Sequence, residues 1–326
     1  MLQKVSNSLP TSCNILDFIS VTQKAAISAF TLRGRCDKEQ GDAMAVHAMR
    51  RAFDSISSKG RVIVGEGEKD EAPMLYVGEE VGQGAHIEYD IVVDPLEGTR
   101  LLAEGKPNAI SVLGILPHGI LSFPKESYYM EKIVIPKCAE QDIDIEAPIT
   151  DIISKVAHII GKSLSEMEIF ILDKPRHKEL IHDILKLGSR VQLHTDGDVA
   201  GALLALSPHS SIDMMLGIGG SPEGVLTALA IKASKKGQLF ARFAPQLEQE
   251  KTALLDKGIS LTTWFTADSI IPTDDVFFVA TGVTSGNLLK GVEYKDGFYK
   301  THSLAMSGKD GRSFYIEESS IAGNAQ

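Results

Sequence analysis

Several features that would point to particular classes of protein are missing from this sequence. It has three cysteines in 326 residues, Cys13, Cys36 and Cys138, and none of them forms a Cys-x-x-Cys pair. The spacing therefore predicts neither a disulfide framework nor a zinc ribbon. A reducing compartment fits this usage best, so we expect a cytoplasmic protein.

Long apolar runs and clusters of positive charge are also absent. No stretch approaches the roughly eighteen uncharged apolar residues of a membrane span, and residues 1–16 lack the apolar segment of a secretion signal. The formal net charge is −10, without a run rich in Lys and Arg. Because a nucleic-acid backbone binds clustered positive charge, we expect neither nucleic acid nor a membrane as the partner.

What the sequence does contain is a change of pattern along its length. Apolar residues at helical spacing predict one helix over residues 15–32 and a second with Asp42 in its first turn. Strand-like runs at 109–116 and 120–123 predict an antiparallel hairpin, so the first part is mixed α+β. From about residue 148, strands and helices alternate, which predicts a parallel α/β layer. The strands predicted in that layer are 169–172, 191–194, 214–218 and 276–280.

Acidic residues follow two of the predicted buried strands. Ile91-Val92-Val93 leads into Asp94-Pro95-Leu96-Glu97-Gly98-Thr99, and Val62-Ile63-Val64 leads into Gly65-Glu66-Gly67-Glu68. Carboxylates that meet repel one another unless a cation neutralises them, and their oxygens suit magnesium or manganese better than zinc. The two runs together predict a metal site for phosphate chemistry, although either run alone is equally typical of a solvated loop or a helix cap. Asp42 is included as a candidate ligand only because of its proximity to these acidic strand ends. An acid in the first turn of a helix also interacts favourably with the helix dipole.

Polar loops follow the strands of the second part. They are Asp173-Lys174-Pro175-Arg176, Thr195-Asp196-Gly197-Asp198 and residues 217–224. Because ligands bind outside the carboxyl ends of parallel strands, we expect these loops to line one crevice. Lys174 and Arg176 could clamp a phosphate, and the two aspartates could bind sugar hydroxyls, although helix starts commonly carry such residues for other reasons.

Taken together, these motifs resemble the class II fructose-1,6-bisphosphatases of bacteria, members of the lithium-sensitive sugar and inositol phosphatase superfamily. The likeness runs from about Val21 to Val283. It departs from the usual pattern at Cys36, where Gly is common, and at Ser221, where Ala is common. The blocks that carry the resemblance are Arg35-Cys36-Asp37-Lys38, residues 65–68, 70–76 and 94–99, Met130-Glu131-Lys132, Lys174-Pro175-Arg176-His177, Asp196-Gly197-Asp198 and residues 219–224.

The resemblance implies an α/β, layered sugar-phosphatase fold with sheets between helices. It implies metal-dependent hydrolysis of the 1-phosphate of fructose-1,6-bisphosphate to fructose-6-phosphate, a step of gluconeogenesis, and a dimer or tetramer of identical chains. The change of pattern at residues 137–149 predicts the boundary between a mixed α+β metal-binding domain over residues 1–140 and an α/β substrate-binding domain over residues 141–326.

The resemblance also implies the residues of the site. Two or more Mn²⁺ or Mg²⁺ ions are expected, one held by Asp42 and Glu66, another by Asp94, Glu97 and Glu223. The implied catalytic residues are Thr99, Asp42 and Glu66. The implied substrate contacts are Glu97, Gly98, Thr99, Tyr129, Lys174, Pro175, Arg176, Asp196, Gly197, Asp198 and Gly220. Tyr129 is preferred to the adjacent Tyr128 because alignment on Met130-Glu131-Lys132 favours it.

Three alternatives stay open at this point. A related phosphatase could act on sedoheptulose-1,7-bisphosphate or an inositol phosphate, although the Lys174 and Arg176 pair favours a second phosphate. Asp196-Gly197-Asp198-Val199-Ala200 also looks like the nucleophile loop of haloacid-dehalogenase-type phosphatases, with Ala where Thr or Val is usual. A protein that only binds metal or sugar phosphate is the alternative outside enzymes; the hydroxyl of Thr99 beside the expected metal argues against it.

Overall fold

The computed structural model describes residues 8–67, 73–124, 126–137 and 143–322. Contacts between residues divide the chain into two compact units. The first comprises residues 1–123, 232–234 and 271–326, and the second comprises residues 124–231 and 235–270. The predicted domain boundary at residues 140 and 141 lies outside the described residues and stays a prediction, as do the positions of Glu68 and residues 70–72.

The described ranges contain α-helices and β-strands in mixed order. None of the helices found there is both long enough and apolar enough to span a bilayer. The helices are α1 (Ile15–Phe30), α2 (Lys38–Phe53), α3 (Thr99–Ala103), α4 (Ile149–Ile160), α5 (Lys178–Leu187), α6 (Asp198–Leu206), α7 (Ser221–Ser234), α8 (Glu248–Asp256) and α9 (Ala267–Ile270). The strands are β1 (Lys59–Val64), β2 (Glu80–Gly82), β3 (Ile87–Glu97), β4 (Ile110–Pro117), β5 (Tyr129–Pro136), β6 (Glu168–Leu172), β7 (Arg190–His194), β8 (Met214–Gly220), β9 (Gly237–Phe243), β10 (Phe265–Thr266), β11 (Phe277–Gly282), β12 (Glu293–Lys295), β13 (Phe298–Ser307) and β14 (Arg312–Ile321).

The first unit is built on a mixed sheet with the order β12-β13-β11-β4-β3-β1-β2, and β14 lies beside β13. Helix α1, which confirms the first predicted helix, packs against β3, β4, β11 and β13. It begins at Ile15 because the Asn14 side chain accepts a hydrogen bond from the Leu16 N–H at 3.1 Å and so caps the helix. Its buried face supplies Phe18 and Ala25 to the core of this unit.

Asp42 lies further along the second helix than predicted. Helix α2 begins at Lys38 because the Asp37 side chain accepts a hydrogen bond from the Gln40 N–H at 2.9 Å. The placement of Asp42 in the first turn is therefore wrong. The helix dipole acts mainly within the first turn, so a favourable interaction with the dipole is a weaker explanation for an acid at position 42.

The predicted hairpin over residues 109–123 is also wrong. Strand β4 forms, but residues 120–123 form no strand, and β4 lies between β3 and β11, antiparallel to both. Both edges of β4 are thus already paired within this sheet. The turn after β4 is fastened back to β3, since His118 Nδ1 and the Gly119 N–H each lie 2.7 Å from a carboxylate oxygen of Asp90.

The second unit is built on a mixed sheet with the order β10-β9-β5-β8-β6-β7. The predicted α/β class is confirmed, and parallel pairing occurs between β6 and β7 and between β6 and β8. Strand β5 is antiparallel to β8 and β9, and β9 to β10. The strand predicted at 276–280 is β11, and it belongs to the sheet of the first unit. An apolar run predicts a buried strand but not the sheet in which it is buried.

Successive residues of β6 face opposite sides of its sheet. Ile169 and Ile171 join a core cluster to which α4 and α5 contribute. Phe170 faces α6, where a Cβ atom on Gly201 would lie 2.4 Å from a ring carbon of Phe170. The glycine therefore permits α6 to approach this strand closely.

The two departures from the family pattern have local structural consequences. Cys36 has φ +57°, in the left-handed region that glycine adopts at lower cost, which accounts for a preference for glycine there. The buried Ser221 hydroxyl lies 2.6 Å from the Ser127 hydroxyl, so it gains a hydrogen bond that alanine lacks.

Candidate active site

The acids Asp94 and Glu97 are brought together by an irregularity in β3. Asp94 lies opposite Val112 of β4 and Glu97 opposite Ile110, so three steps along β3 match two along β4. Residues three apart on a regular strand point to opposite faces, and the extra residue removes that difference. As a result, a carboxylate oxygen of Asp94 lies within 4.8 Å of a carboxylate oxygen of Glu97. Pro95 fits inside the irregularity because it needs no partner for an N–H.

Thr99 is placed next to this pair by a glycine turn. Gly98 has φ +87°, and a Cβ atom on it would lie 2.9 Å from a side-chain carbon of Leu101. Both the backbone conformation and the available space therefore require glycine. The turn ends β3 and starts α3, whose first residue is the half-buried Thr99. Asp94 Oδ1 accepts a hydrogen bond from the Leu96 N–H at 3.0 Å, which orients that carboxylate.

Asp42 and Glu66 are half-buried residues of the first unit. Glu66 follows β1, and its N–H donates to the Leu75 carbonyl at 3.1 Å. Burial raises the pKa of the Asp42 carboxyl. Within the ranges that the structure describes, neither side chain belongs to a cluster of three or more possible ligands, and residues 68–72 beside Glu66 are outside those ranges. The pairing of Asp42 with Glu66 at one ion stays a prediction.

The predicted loops of the second unit meet at one edge of its sheet. Strands β7 and β8 both run parallel to β6, so their carboxyl ends share that edge. Strand β5 runs the other way, and its first residue, Tyr129, pairs with Gly220 at the end of β8. The Arg176 guanidinium lies 5.4 Å from the centre of the Tyr129 ring. Tyr129 is thus part of this edge, whereas the neighbouring Tyr128 side chain is largely exposed.

Lys174 and Arg176 are both oriented by main-chain carbonyls. Lys174 Nζ donates to the Thr195 carbonyl at 2.7 Å, beside Asp196. Arg176 Nε and Nη2 donate to the Ile218 carbonyl at 2.9 and 2.7 Å. A guanidinium has five N–H donors and an ammonium has three, so each group keeps donors for a phosphate.

Asp198 is a buried carboxylate at the start of α6, where Gly197 turns the chain with φ +97°. Lys132 Nζ donates to this carboxylate and, at 2.8 Å, to the Gly220 carbonyl. Sequence reasoning gave Lys132 no role. A signal was available, because Lys132 lies between Met130 and Val134 at alternate positions of an apolar strand, which face the same side.

Glu223 lies in the first turn of α7, and one of its carboxylate oxygens suits a metal ligand. Glu223 Oε2 is buried, and it accepts no hydrogen bond from any residue that the structure describes. Burial raises the pKa of the Glu223 carboxyl, whereas the charge of Lys132 lowers it. A buried carboxylate oxygen without a donor is costly, and a hard cation removes that cost. Carboxylate oxygens are the ligands that Mg²⁺ or Mn²⁺ prefers, and both Glu223 and, in the first unit, the pair Asp94 and Glu97 supply them.

His177 is a further residue that sequence reasoning left without a role. Its Nδ1 lies 2.7 Å from the Leu172 carbonyl, and its Nε2 accepts the Ile218 N–H at 2.8 Å. A neutral imidazole with the proton on Nδ1 satisfies both contacts. The ring therefore joins the Lys174 to Arg176 loop to β8.

Lowering the pH is expected to weaken this connection. Burial lowers the pKa of His177, Arg176 lowers it further, and the bond to Leu172 and the charge of Asp198 partly oppose the shift. The unfolded chain therefore binds the proton first, and stability is lost as the pH falls below about 6.5, by at most about 1.4 kcal/mol per pH unit. Urea unfolding between about pH 7.5 and pH 5 should show a shallower decline for His177→Gln than for the parent. Equal declines in both proteins would contradict the neutral, buried state of His177.

Glu250 holds the entry to β5 in place. Its buried carboxylate accepts hydrogen bonds from the N–H groups of Tyr128 and Tyr129 at 2.7 and 2.8 Å through Oε1, and from Gln246 at 3.0 Å through Oε2. This fixes the backbone from which the Tyr129 ring projects toward Arg176. No local motif marks Glu250 in the sequence, because Tyr128 and Tyr129, the partners that connect it to β5, precede it by 122 and 121 residues.

Two known bacterial proteins are similar to this chain along most of its length. The class 2 fructose-1,6-bisphosphatase 1 of Escherichia coli (strain K12) is 39% identical over 307 residues, which cover 90% of this chain and 91% of that relative. The class 2 fructose-1,6-bisphosphatase of Shigella flexneri matches to the same extent, at 39% identity over 90% of this chain and 91% of its own. Among solved structures, CysQ from Bacteroides thetaiotaomicron, a bacterial member of the inositol monophosphatase family, has 12% identity and a TM-score of 0.32 over 60% of this chain and 76% of its own. That superposition is too loose to indicate fold or function.

The family model described as bacterial fructose-1,6-bisphosphatase, glpX-encoded, matches residues 13–320. This match extends over both compact units and includes all the site residues named above. The chain therefore belongs to the glpX-encoded family of bacterial fructose-1,6-bisphosphatases.

Proposed function

We propose that this chain removes the 1-phosphate of fructose-1,6-bisphosphate with two or more divalent ions, Mn²⁺ or Mg²⁺, held by carboxylates at the end of β3 and on α7. As a member of its family, the chain is a phosphoric monoester hydrolase that acts on fructose-1,6-bisphosphate. The observation that supports the metal assignment is the pair Asp94 and Glu97, whose oxygens are within 4.8 Å. Glu223, with its buried oxygen, is proposed as a further ligand, and Asp42 with Glu66 as the ligands of a second ion.

The proposed roles of the chain follow from where its groups lie. Divalent ions, when bound, neutralise phosphate charge and lower the pKa of a coordinated water. Asp94 and Glu97 would fix the position of the 1-phosphate through their ion. The Thr99 hydroxyl would orient the attacking water, or take its proton while passing the hydroxyl's own proton to a carboxylate of the site. Glu97, Gly98 and Thr99 are consecutive residues, so one short turn would serve both metal and substrate.

The rest of the substrate is assigned to the second unit. Lys174, Pro175 and Arg176 are proposed to hold the distal phosphate, and Asp196, Gly197 and Asp198 the sugar hydroxyls. Tyr129 and Gly220 would complete this part of the site, since they are paired across β5 and β8. Contacts made far from the reacting phosphorus support catalysis by aligning the reacting groups.

Removal of the metal is expected to abolish the activity. Phosphate release from fructose-1,6-bisphosphate should require Mn²⁺ or Mg²⁺, stop with a chelator, and return when the ion is added back. Sedoheptulose-1,7-bisphosphate and inositol-1-phosphate, tested in parallel, separate the substrate alternatives. Undiminished release in the presence of chelator would rule out the metal mechanism. Failure to release phosphate from any sugar bisphosphate would favour a protein that only binds these ligands.

Two further properties are part of the proposal. We expect an assembly of identical chains, a dimer or a tetramer, and a cytoplasmic location. Sedimentation equilibrium would measure the first and cell fractionation the second.

A further inference from the structure

Lys132 is a lysine buried in the sheet of the second unit, with 0% of its surface exposed. It lies in the middle of β5, opposite Gly217 of β8 and Ala241 of β9. Lysine is almost never fully buried unless its charge is paired. The pairing here is with Asp198, and a second donor of the ammonium group bonds to the Gly220 carbonyl at 2.8 Å.

The partners of Lys132 are held so closely that they have little freedom to move. A Cβ atom on Gly219 would lie 1.8 Å from Asp198 Oδ2, so the carboxylate rests against the bare backbone of β8. A Cβ atom on Gly224 would lie 3.6 Å from Cδ of Lys132, so α7 starts directly beside the lysine stem. Asp198 is thus confined between a glycine and an ammonium group.

Stability alone is a poor explanation for this buried ion pair. Moving two charges out of water costs several kcal/mol, and apolar residues of similar volume usually stabilise a core as well or better. The functional surroundings explain the pair better. Asp198 and Gly220 are two of the proposed sugar-phosphate contacts, and Lys132 is the one side chain among the described residues that donates hydrogen bonds to both.

We propose that Lys132 is a positioning residue of the sugar-phosphate site, which fixes the Asp198 carboxylate and the Gly220 carbonyl in the orientation that receives the sugar. This inference rests on the assignment of Asp198 and Gly220 to the substrate under the proposed function. Lys132 itself is assigned no contact with the reacting phosphate or the ion. It acts through these two partners, and its charge is paired with Asp198, so most of the effect of its loss should depend on the presence of Asp198.

A double-mutant cycle tests this dependence. Lys132→Met, Asp198→Asn and the double variant are prepared, and the affinity for fructose-6-phosphate is measured by calorimetry, with no turnover needed. Each single change is expected to weaken binding about 10- to 100-fold, the range for a hydrogen bond to a charged group. Lys132→Met should raise KM by a similar factor and lower kcat less. Adding Lys132→Met to Asp198→Asn should weaken binding by less than about threefold, because coupled residues are not additive.

The matched control is Lys162→Met. Lys162 Nζ bonds to Asp213 Oδ1 at 2.6 Å, so this change also breaks a lysine–aspartate pair in the second unit, but near the amino end of β8. It should reduce resistance to urea while leaving fructose-6-phosphate affinity and KM unchanged. A Lys132→Met protein with reduced urea resistance and unchanged affinity would overturn the positioning role.

The cycle keeps the two proposals distinguishable. If Asp198→Asn binds fructose-6-phosphate as well as the parent, the assignment of Asp198 to the substrate is wrong, and the inference falls with it. If Asp198→Asn binds weakly but Lys132→Met binds normally, only the inference about Lys132 is wrong. Should Lys132→Met not fold, the double variant, in which neither member of the Lys132–Asp198 pair is left charged, is compared with Asp198→Asn. A further loss of tenfold or more in that comparison overturns the inference, and near-equal affinities support it.

Discussion

Replacing Asp94 by asparagine is expected to lower kcat/KM for fructose-1,6-bisphosphate by about 1,000-fold or more. Asparagine has nearly the same shape as aspartate, so the irregular end of β3 should persist. The change removes one negative charge from the Asp94 and Glu97 pair, whose oxygens are within 4.8 Å. A bound metal ion stabilises the transition state by several kcal/mol, and a change of about 4 kcal/mol in the activation free energy corresponds to a thousandfold change in rate.

The measurements are phosphate release and the affinity of the free protein for Mn²⁺. Both should fall together in Asp94→Asn, because the side chain is proposed to act through the ion. Glu88→Gln is the matched control, since it neutralises another half-buried acid of the same strand, one that accepts a hydrogen bond from Ser12 at 2.9 Å. That control should keep parent activity and Mn²⁺ affinity. An Asp94→Asn protein within tenfold of the parent would show that Asp94 is not an essential ligand.

The parts of this site that lie within one short segment could be predicted from sequence. An apolar run followed by Pro and Gly predicts a buried strand that ends in a turn, and β3 followed by Gly98 confirms it. The loops after β6 and β7 were predictable for the same reason. Each prediction depends on neighbouring residues, whose conformational preferences act locally.

The parts that depend on pairing between distant strands could not be predicted. The sequence does not show that Glu97 lies opposite Ile110 rather than one residue later, although that register brings Asp94 and Glu97 together. It also does not show that β4 pairs with β11, which is why the hairpin prediction is wrong. The position of Asp42 is a local matter, because the side chain of Asp37 caps the helix and so starts it at Lys38, before Asp42.

Lys132 and Glu250 show why the supporting residues of a site are harder to find. Each is a buried charged residue whose partners lie on other elements of the fold. A charged residue in an apolar strand signals a buried partner, but the identity of the partner depends on the fold. The resemblance to a known family predicts the direct contacts, and the structure adds buried charged residues that hydrogen-bond to some of them.

Replacing Thr99 by alanine is expected to lower kcat about 100-fold while KM changes little, because positioned proton transfer contributes about 100- to 10,000-fold to such reactions. Thr99 is the first residue of α3 and only half-buried, and alanine is a better helix former, so stability should not fall. Affinity for Mn²⁺ should be unchanged, which separates the hydroxyl from the ligands.

Two further variants at Thr99 make this test specific for the hydroxyl group. Thr99→Ser keeps the hydroxyl and should restore most of the turnover, whereas Thr99→Val keeps the shape and should be as slow as Thr99→Ala. Stopped-flow measurement of phosphate release in a single turnover would place the loss in the chemical step rather than in product release. Full turnover by Thr99→Val would mean that the attacking water is oriented without Thr99, leaving Asp42 and Glu66 as the next groups to test.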